Sequence, residues 1–244
     1  MPEMTGDSIA SATVDDSRVR RAIFWAAVFT ALTAAVSFGV AVTTPPRTGP
    51  FAAPATALVY PYANAVQFVP RDFLWMYPAL LMMLAFLALA VCLHESALDR
   101  SRLPGAVGAS LAAVSFGVIS VDYFIQLQTV QPALLKGEAA GVAALSQYNP
   151  HGVFITLENL GFLVMALSFA FIAVSLGPSG LERAARWVLL AAAAAAGVAF
   201  VGMSLVFGFD LEYRFEVAII TIDWFTLMVS GVLIALAYAP PRAR

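Results

Sequence analysis

Long apolar runs broken by short polar stretches set the architecture of this chain. Six runs, at 22–42, 73–94, 104–128, 151–176, 187–208 and 216–238, reach the roughly 20 residues that a helix needs to cross a bilayer's hydrocarbon core. None alternates as a barrel strand would, so each backbone must satisfy its hydrogen bonds within a helix. The pattern predicts an all-α integral membrane protein of six transmembrane helices. The first run exceeds the 7–15 or so apolar residues of a signal peptide and precedes no small-x-small cleavage site, so it reads as a retained helix.

Local signals refine the ends. Asn149 is expected to cap the fourth helix with Pro150 at its first position, and Pro104 to open the third. In the fifth, Ala191 to Ala196 with Gly197 and Gly202 offer a small-residue surface suited to close helix packing. No internal repeat relates the two halves, which argues against an inverted-repeat transporter.

Arginine placement gives an orientation. Arg18, Arg20, Arg21, Arg100, Arg102, Arg183, Arg186, Arg242 and Arg244 fall on one side, against Arg47, Arg71, Lys136 and Arg214 on the other. Both termini are therefore expected to be cytoplasmic, with 1–21 a polar, disordered N-terminal segment and 239–244 a short tail. The two long connections, 43–72 and 129–150, then lie outside. Loops of that length tend to be functional or disordered. The aromatics and prolines of the first, and the helix-like ALLKGEAAGVAALSQY of the second, favour ordered structure. The second is expected to fold over the mouth of the bundle as a lid.

Composition agrees and narrows the chemistry. The chain is 61% hydrophobic and 11% charged, against about 45–50% and about 25% for soluble domains. A net charge of -2 gives no nucleic-acid footprint. The single cysteine, Cys92, excludes an internal disulfide and a cysteine metal cluster. The one lysine, Lys136, lies in a loop, which excludes a buried retinal Schiff base. His94 and His151 belong to opposite faces, which excludes a bis-His haem. Catalytic zinc usually needs more His or Cys than the chain supplies, so no cofactor is expected. The minor reading is a hard divalent ion held by Asp122, His151, Glu158 and Asp223.

Three acids interrupt the apolar runs. A carboxylate at the centre of a spanning helix costs about 2.5–3.5 kcal/mol on insertion scales, so each needs a reason. Asp122 lies six residues inside the end of the third run, while Glu158 and Asp223 lie seven inside the fourth and sixth. At 1.5 Å per residue this sets all three roughly 10 Å below one face. Gln126, His151 and Glu216 stand on the same stripes nearer that face, with Asn159 beside Glu158 and Trp224 beside Asp223. The expected site is an outward-facing cavity rimmed by Gln126, His151 and Glu216 and floored by the three acids. No Arg or Lys lies inside any run, so the acids are protonated, hydrogen-bonded or facing a cation. The bland reading is that each pins neighbouring helices through a hydrogen bond worth about 0.6 kcal/mol.

Three functions fit this pattern. The preferred one is an acidic pocket binding a small ligand or cation, cationic or lipid-soluble, for transport or sensing. Six helices are few for a transporter protomer, and a homo-oligomer would serve. The second is a membrane enzyme using Asp122, Glu158 or Asp223 as general acid on an isoprenoid or sterol-like lipid, with Trp224 and Tyr123 facing a carbocation. The third is a structural or accessory subunit in the bilayer whose acids only lock helices together. Trp75 and Tyr77 read as interfacial-belt residues.

The stretches SQYNPHGVFITLENLGFL, EYRFEVAIITIDW and DYFIQLQ, about a sixth of the chain, resemble an uncharacterised group of small multipass bacterial membrane proteins. The resemblance implies a multipass protein of a bacterial plasma membrane and carries no activity with it.

Overall fold

The computed structural model describes residues 6–97, 99–178 and 180–240, and every regular element among them is helical. The long helices are α1 (Gly6–Ala41), α2 (Met76–Glu95), α3 (Asp99–Ile125), α6 (Val153–Ile172), α7 (Gly180–Phe207) and α8 (Glu212–Tyr238). Short helices α4 (Gln131–Leu135) and α5 (Ala139–Val142) lie between α3 and α6. Among the described residues, six helices are long and apolar enough to cross a membrane. From Gly6 the first helix is continuous with the polar stretch expected to be disordered. Residues 1–5 of that stretch and 241–244 of the tail lie outside the described residues.

Helices α1, α2, α3, α6 and α8 pack in sequence around a ring, closed by α8 against α1, while α7 lies outside on α8 and α6. The buried side follows helical spacing. On α6 it runs through Phe154, Ile155, Glu158, Phe162, Met165, Phe169 and Ile172. The exposed large apolar side chains, such as Trp25, Leu81 and Phe225, face outward, where lipid would cover them.

The tightest crossings depend on three glycines. A Cβ on Gly108 would stand 2.8 Å from Ile172 Cγ1 and 3.0 Å from the Ile172 nitrogen, and one on Gly161 would meet Ile119 Cδ1 at 2.5 Å. Both hold α3 against α6, where Ser115 donates to the Gly161 carbonyl and Ser168 to the Gly108 carbonyl, each at 2.7 Å. Gly231 plays the same part between α8 and α1, where an added Cβ would stand 2.9 Å from the Ala27 oxygen. Small residues let backbones approach until such contacts form. The expected surface on α7 holds only in part. Gly197 and Gly202 have open space beside them, whereas Ala192 and Ala196 are buried together with Ala185 and Leu189.

Two helix starts differ from expectation. Gly152, not Asn149, is the N-cap of α6. Asn149 closes the preceding turn, its Oδ1 accepting from the His151 N–H and its Nδ2 donating to the Ala143 carbonyl. Pro104 lies inside α3, which starts five residues earlier at Asp99. At its other end α3 passes through a π turn, Gln126–Val130, straight into α4, giving one helical run from Ser101 to Leu135.

The connection from α1 to α2 is ordered by 3₁₀ turns at Gly49–Phe51, Pro54–Thr56, Ala63–Phe68 and Arg71–Phe73. It carries a buried ion pair. Arg47 donates from Nε to Asp72 Oδ2 at 2.9 Å and from a terminal nitrogen to Oδ1 at 3.2 Å, with its guanidinium 3.6 Å above the Phe68 ring.

Candidate functional site

The segment between α5 and α6 folds back over one end of the ring and is tied there by buried polar groups. Gln126 is fully buried. Its Nε2 donates to the Leu145 carbonyl at 2.6 Å, and its Oε1 accepts from the Gln147 N–H at 2.9 Å. Gln147 Nε2 donates to the Asp72 carbonyl, and Tyr213 O–H to the Gln147 carbonyl. The Thr48 hydroxyl lies 2.7 Å from both the Tyr148 carbonyl and the Tyr213 hydroxyl. Tyr148 O–H donates to Asp72 at 3.4 Å. Burial, reinforced by the Asp72 carboxylate, pushes the Tyr148 phenol well above its usual range and keeps it a donor. The segment is thus a roof attached to α3, α8 and the α1–α2 connection.

Under this roof three carboxyls converge. Glu158, fully buried on α6, accepts from Tyr123 O–H of α3 at 2.6 Å and forms a hydrogen-bonded pair with Glu216 of α8. Asp122 on α3 interacts electrostatically with both. Asp223 lies two turns further along α8, about 10 Å deeper than Glu216. It is fully buried, and neither of its oxygens has a partner. The hydroxyls on its face turn back on their own helix, Thr226 to the Ile222 carbonyl and Ser230 to the Thr226 carbonyl. The expected floor of Asp122, Glu158 and Asp223 is therefore corrected: Glu216, assigned to the rim, stands where Asp223 was placed. Helix α8 begins at Glu212, four residues before the hydropathic run, and contact with Glu158 fixes Glu216 at the level of the acid pair.

Beside the acids lies a packed set of rings. Tyr123 stacks on Phe154 and meets Trp75 edge-on, and Trp75 and Phe162 both pack against Trp224. Trp75 is thus part of the core, not of an interfacial belt, whereas Tyr77 is exposed.

A cavity of about 530 Å³ opens between α1, α8 and the roof. Its walls are mainly apolar, from Phe38, Ala41, Phe154, Ile220 and Trp224, with Glu216, Tyr148, Tyr213 and the Arg47–Asp72 pair as polar groups. Val42, Val217 and Thr221 line it and are also exposed on the outer surface of the ring, so the opening faces sideways between α1 and α8. Two wall residues carry buried polar atoms without a partner, Oε2 of Glu216 and the indole N–H of Trp224.

Of the seven residues expected to bind a ligand, only Trp224 lines this cavity. Asp122 and Glu158 stand behind Glu216, Gln126 is committed to the roof, and Asn159 keeps an unpartnered Oδ1 away from the walls. His151 is not on the rim. It is exposed, and its Nε2 pairs with Asp210 at 2.8 Å. With Glu212 these two bring ligand atoms within 4.8 Å of one another, but Glu212 is itself paired with Arg214. The metal set expected from Asp122, His151, Glu158 and Asp223 is not assembled. Arg47, Asp72, Tyr148 and Tyr213 are the site residues that sequence reasoning did not assign, and Glu216 was assigned to the rim only. A pairing such as Arg47 with Asp72 has no periodic signal.

Comparison with protein-family models, with curated proteins and with solved structures finds no match to this chain.

Proposed function

We propose that this chain is a plasma-membrane protein that binds a small, lipid-soluble ligand in the cavity between α1 and α8, with the ligand's polar head against Glu216. One observation carries the reading: a mainly apolar cavity of about 530 Å³ with the buried carboxyl residue Glu216 and the Arg47–Asp72 pair on its walls. Small-molecule sites have this character, volumes of about 300–1,000 Å³ with a few converging polar groups. At roughly 30 Å³ per water-sized group, the ligand has on the order of fifteen to twenty non-hydrogen atoms. The sideways opening favours access from the bilayer, because the roof is tied down and Val42, Val217 and Thr221 face outward.

The test is fluorescence quenching in nanodiscs by a brominated long-chain alkanol. Trp25 and Trp187, both exposed, are first replaced by Phe so that Trp75 and Trp224 report alone. Saturable quenching, reduced when Val217→Phe narrows the opening, supports the site. Quenching that only rises with the membrane concentration of the probe counts against it.

The nine-to-four bias of arginine and lysine supports cytoplasmic termini. In a Cys92→Ser background, cysteines at the exposed Ala63 and Ala140 should then react with an impermeant thiol reagent from outside intact cells. Reaction only after lysis reverses the orientation.

A further inference from the structure

The cavity is bordered by a contiguous set of proton-bearing groups. Glu216 is nine-tenths buried on its wall. Behind it stands Glu158, which holds Tyr123 O–H at 2.6 Å, and then Asp122. Two ionised carboxylates are acceptors only, so the hydrogen bond between Glu158 and Glu216 requires at least one proton on the pair. The charges that face this cluster are few. From α8 comes Tyr213, whose hydroxyl is engaged by Thr48 and Gln147. From the loops come Tyr148 and Arg47, the latter held by both oxygens of Asp72. Helix α1 faces the cavity with Phe38 and Ala41. With Arg47 spoken for, no cationic side chain among the described residues is left to balance an ionised Glu158 or Glu216. A buried, unbalanced carboxylate takes up a proton instead.

We propose that the Glu158–Glu216 pair is a proton–cation exchange site: an organic monocation entering the cavity displaces one proton from the pair. This rests on the cavity being the ligand site, and it narrows the ligand to a lipid-soluble cation. In the empty site both carboxyls carry protons. When the cation arrives, the Glu216 O–H bond breaks and that proton leaves to solvent, while the second proton stays shared between the two carboxyls. One positive charge enters for each that departs, so the buried charge is conserved. Glu216 is the acid of the pair that lines the cavity and so meets the cation, and Trp75 and Trp224 line the same cavity.

Two brominated probes of equal chain length test this in the Trp25→Phe, Trp187→Phe background: an alkyltrimethylammonium, which cannot titrate, and the corresponding alkanol. The ammonium affinity is expected to rise about tenfold per pH unit through the titration range, as linkage to one proton requires. Calorimetry in buffers of different ionisation enthalpy should count one proton released per cation bound. The alkanol should bind with no pH dependence. Glu216→Gln removes the carboxyl that exchanges, so the variant should bind the ammonium at least tenfold more weakly and with no proton released. An ammonium that binds the unaltered protein without proton release, or an alkanol that saturates while the ammonium does not, overturns the exchange and leaves the cavity reading in place. Failure of both probes to saturate removes the cavity reading itself. Should Glu216→Gln fail to fold, the proton count on the unaltered protein decides.

Discussion

The pair most exposed to experiment is Arg47 with Asp72. Both side chains are buried, at 4% and 1% exposure, and two hydrogen bonds of 2.9 and 3.2 Å join them. With charge centres about 4 Å apart and an effective dielectric of about 20, their attraction is about 4 kcal/mol. Arg47→Met removes it and leaves Asp72 with a single side-chain donor, Tyr148 at 3.4 Å. Asp72→Leu strands the guanidinium over Phe68. Each single change should cost about 3–5 kcal/mol, the range for breaking a buried pair from one side. The double variant, which strands neither charge, should be more stable than either single one. Denaturant titration in mixed micelles measures this, with the buried Trp75, three residues from Asp72, as reporter. Single variants within about 1 kcal/mol of the parent, or a double variant that loses the sum, would refute the argument. The first result would mean that water reaches the pair, and the second that the two side chains act independently.

Two further outcomes follow from the packing. Gln126→Leu leaves the Leu145 carbonyl and the Gln147 N–H without partners, at about 1–3 kcal/mol each. Hydrogen exchange at Gln147 should accelerate, and an unchanged rate argues that the roof is held elsewhere. Gly108→Ala should destabilise by about 1–3 kcal/mol, because the added methyl meets the Ile172 backbone nitrogen, which cannot move aside. Gly197→Ala, in open space on α7, should be neutral or stabilising by up to about 1 kcal/mol. Equal effects at the two positions would contradict the assigned crossings.

The helices were legible because apolar runs of bilayer length have few other uses, and Glu158 was legible because an acid inside one is costly. Its partner was not. Glu216 and Asp223 share a face of α8 two turns apart, and periodicity alone cannot say which turn lies level with Glu158. The amphipathic turn Glu212 to Phe215 hid the true start of α8 from a hydropathy reading. Gln126 carried the right polarity and the wrong assignment, since the π turn that begins there delivers it to the roof. His151 kept heptad spacing with Glu158, but the helix begins only at Val153, so the spacing did not place it on the buried stripe. Arg47 and Asp72 lie 25 residues apart in a connection without periodicity, and only tertiary structure joins them.

The closure of the helical ring by α8 on α1 also bears on biosynthesis. If helices pass into the bilayer in chain order, Asp122 and Glu158 arrive before Glu216 does, and α1 waits without its final neighbour. Until α8 is in place, neither the acid pair nor the cavity exists, and the acids of α3 and α6 have only Tyr123 and each other. The last helix to be inserted is therefore the one that completes the site, and a chain interrupted before it would leave unmatched carboxyls facing lipid for quality control to find.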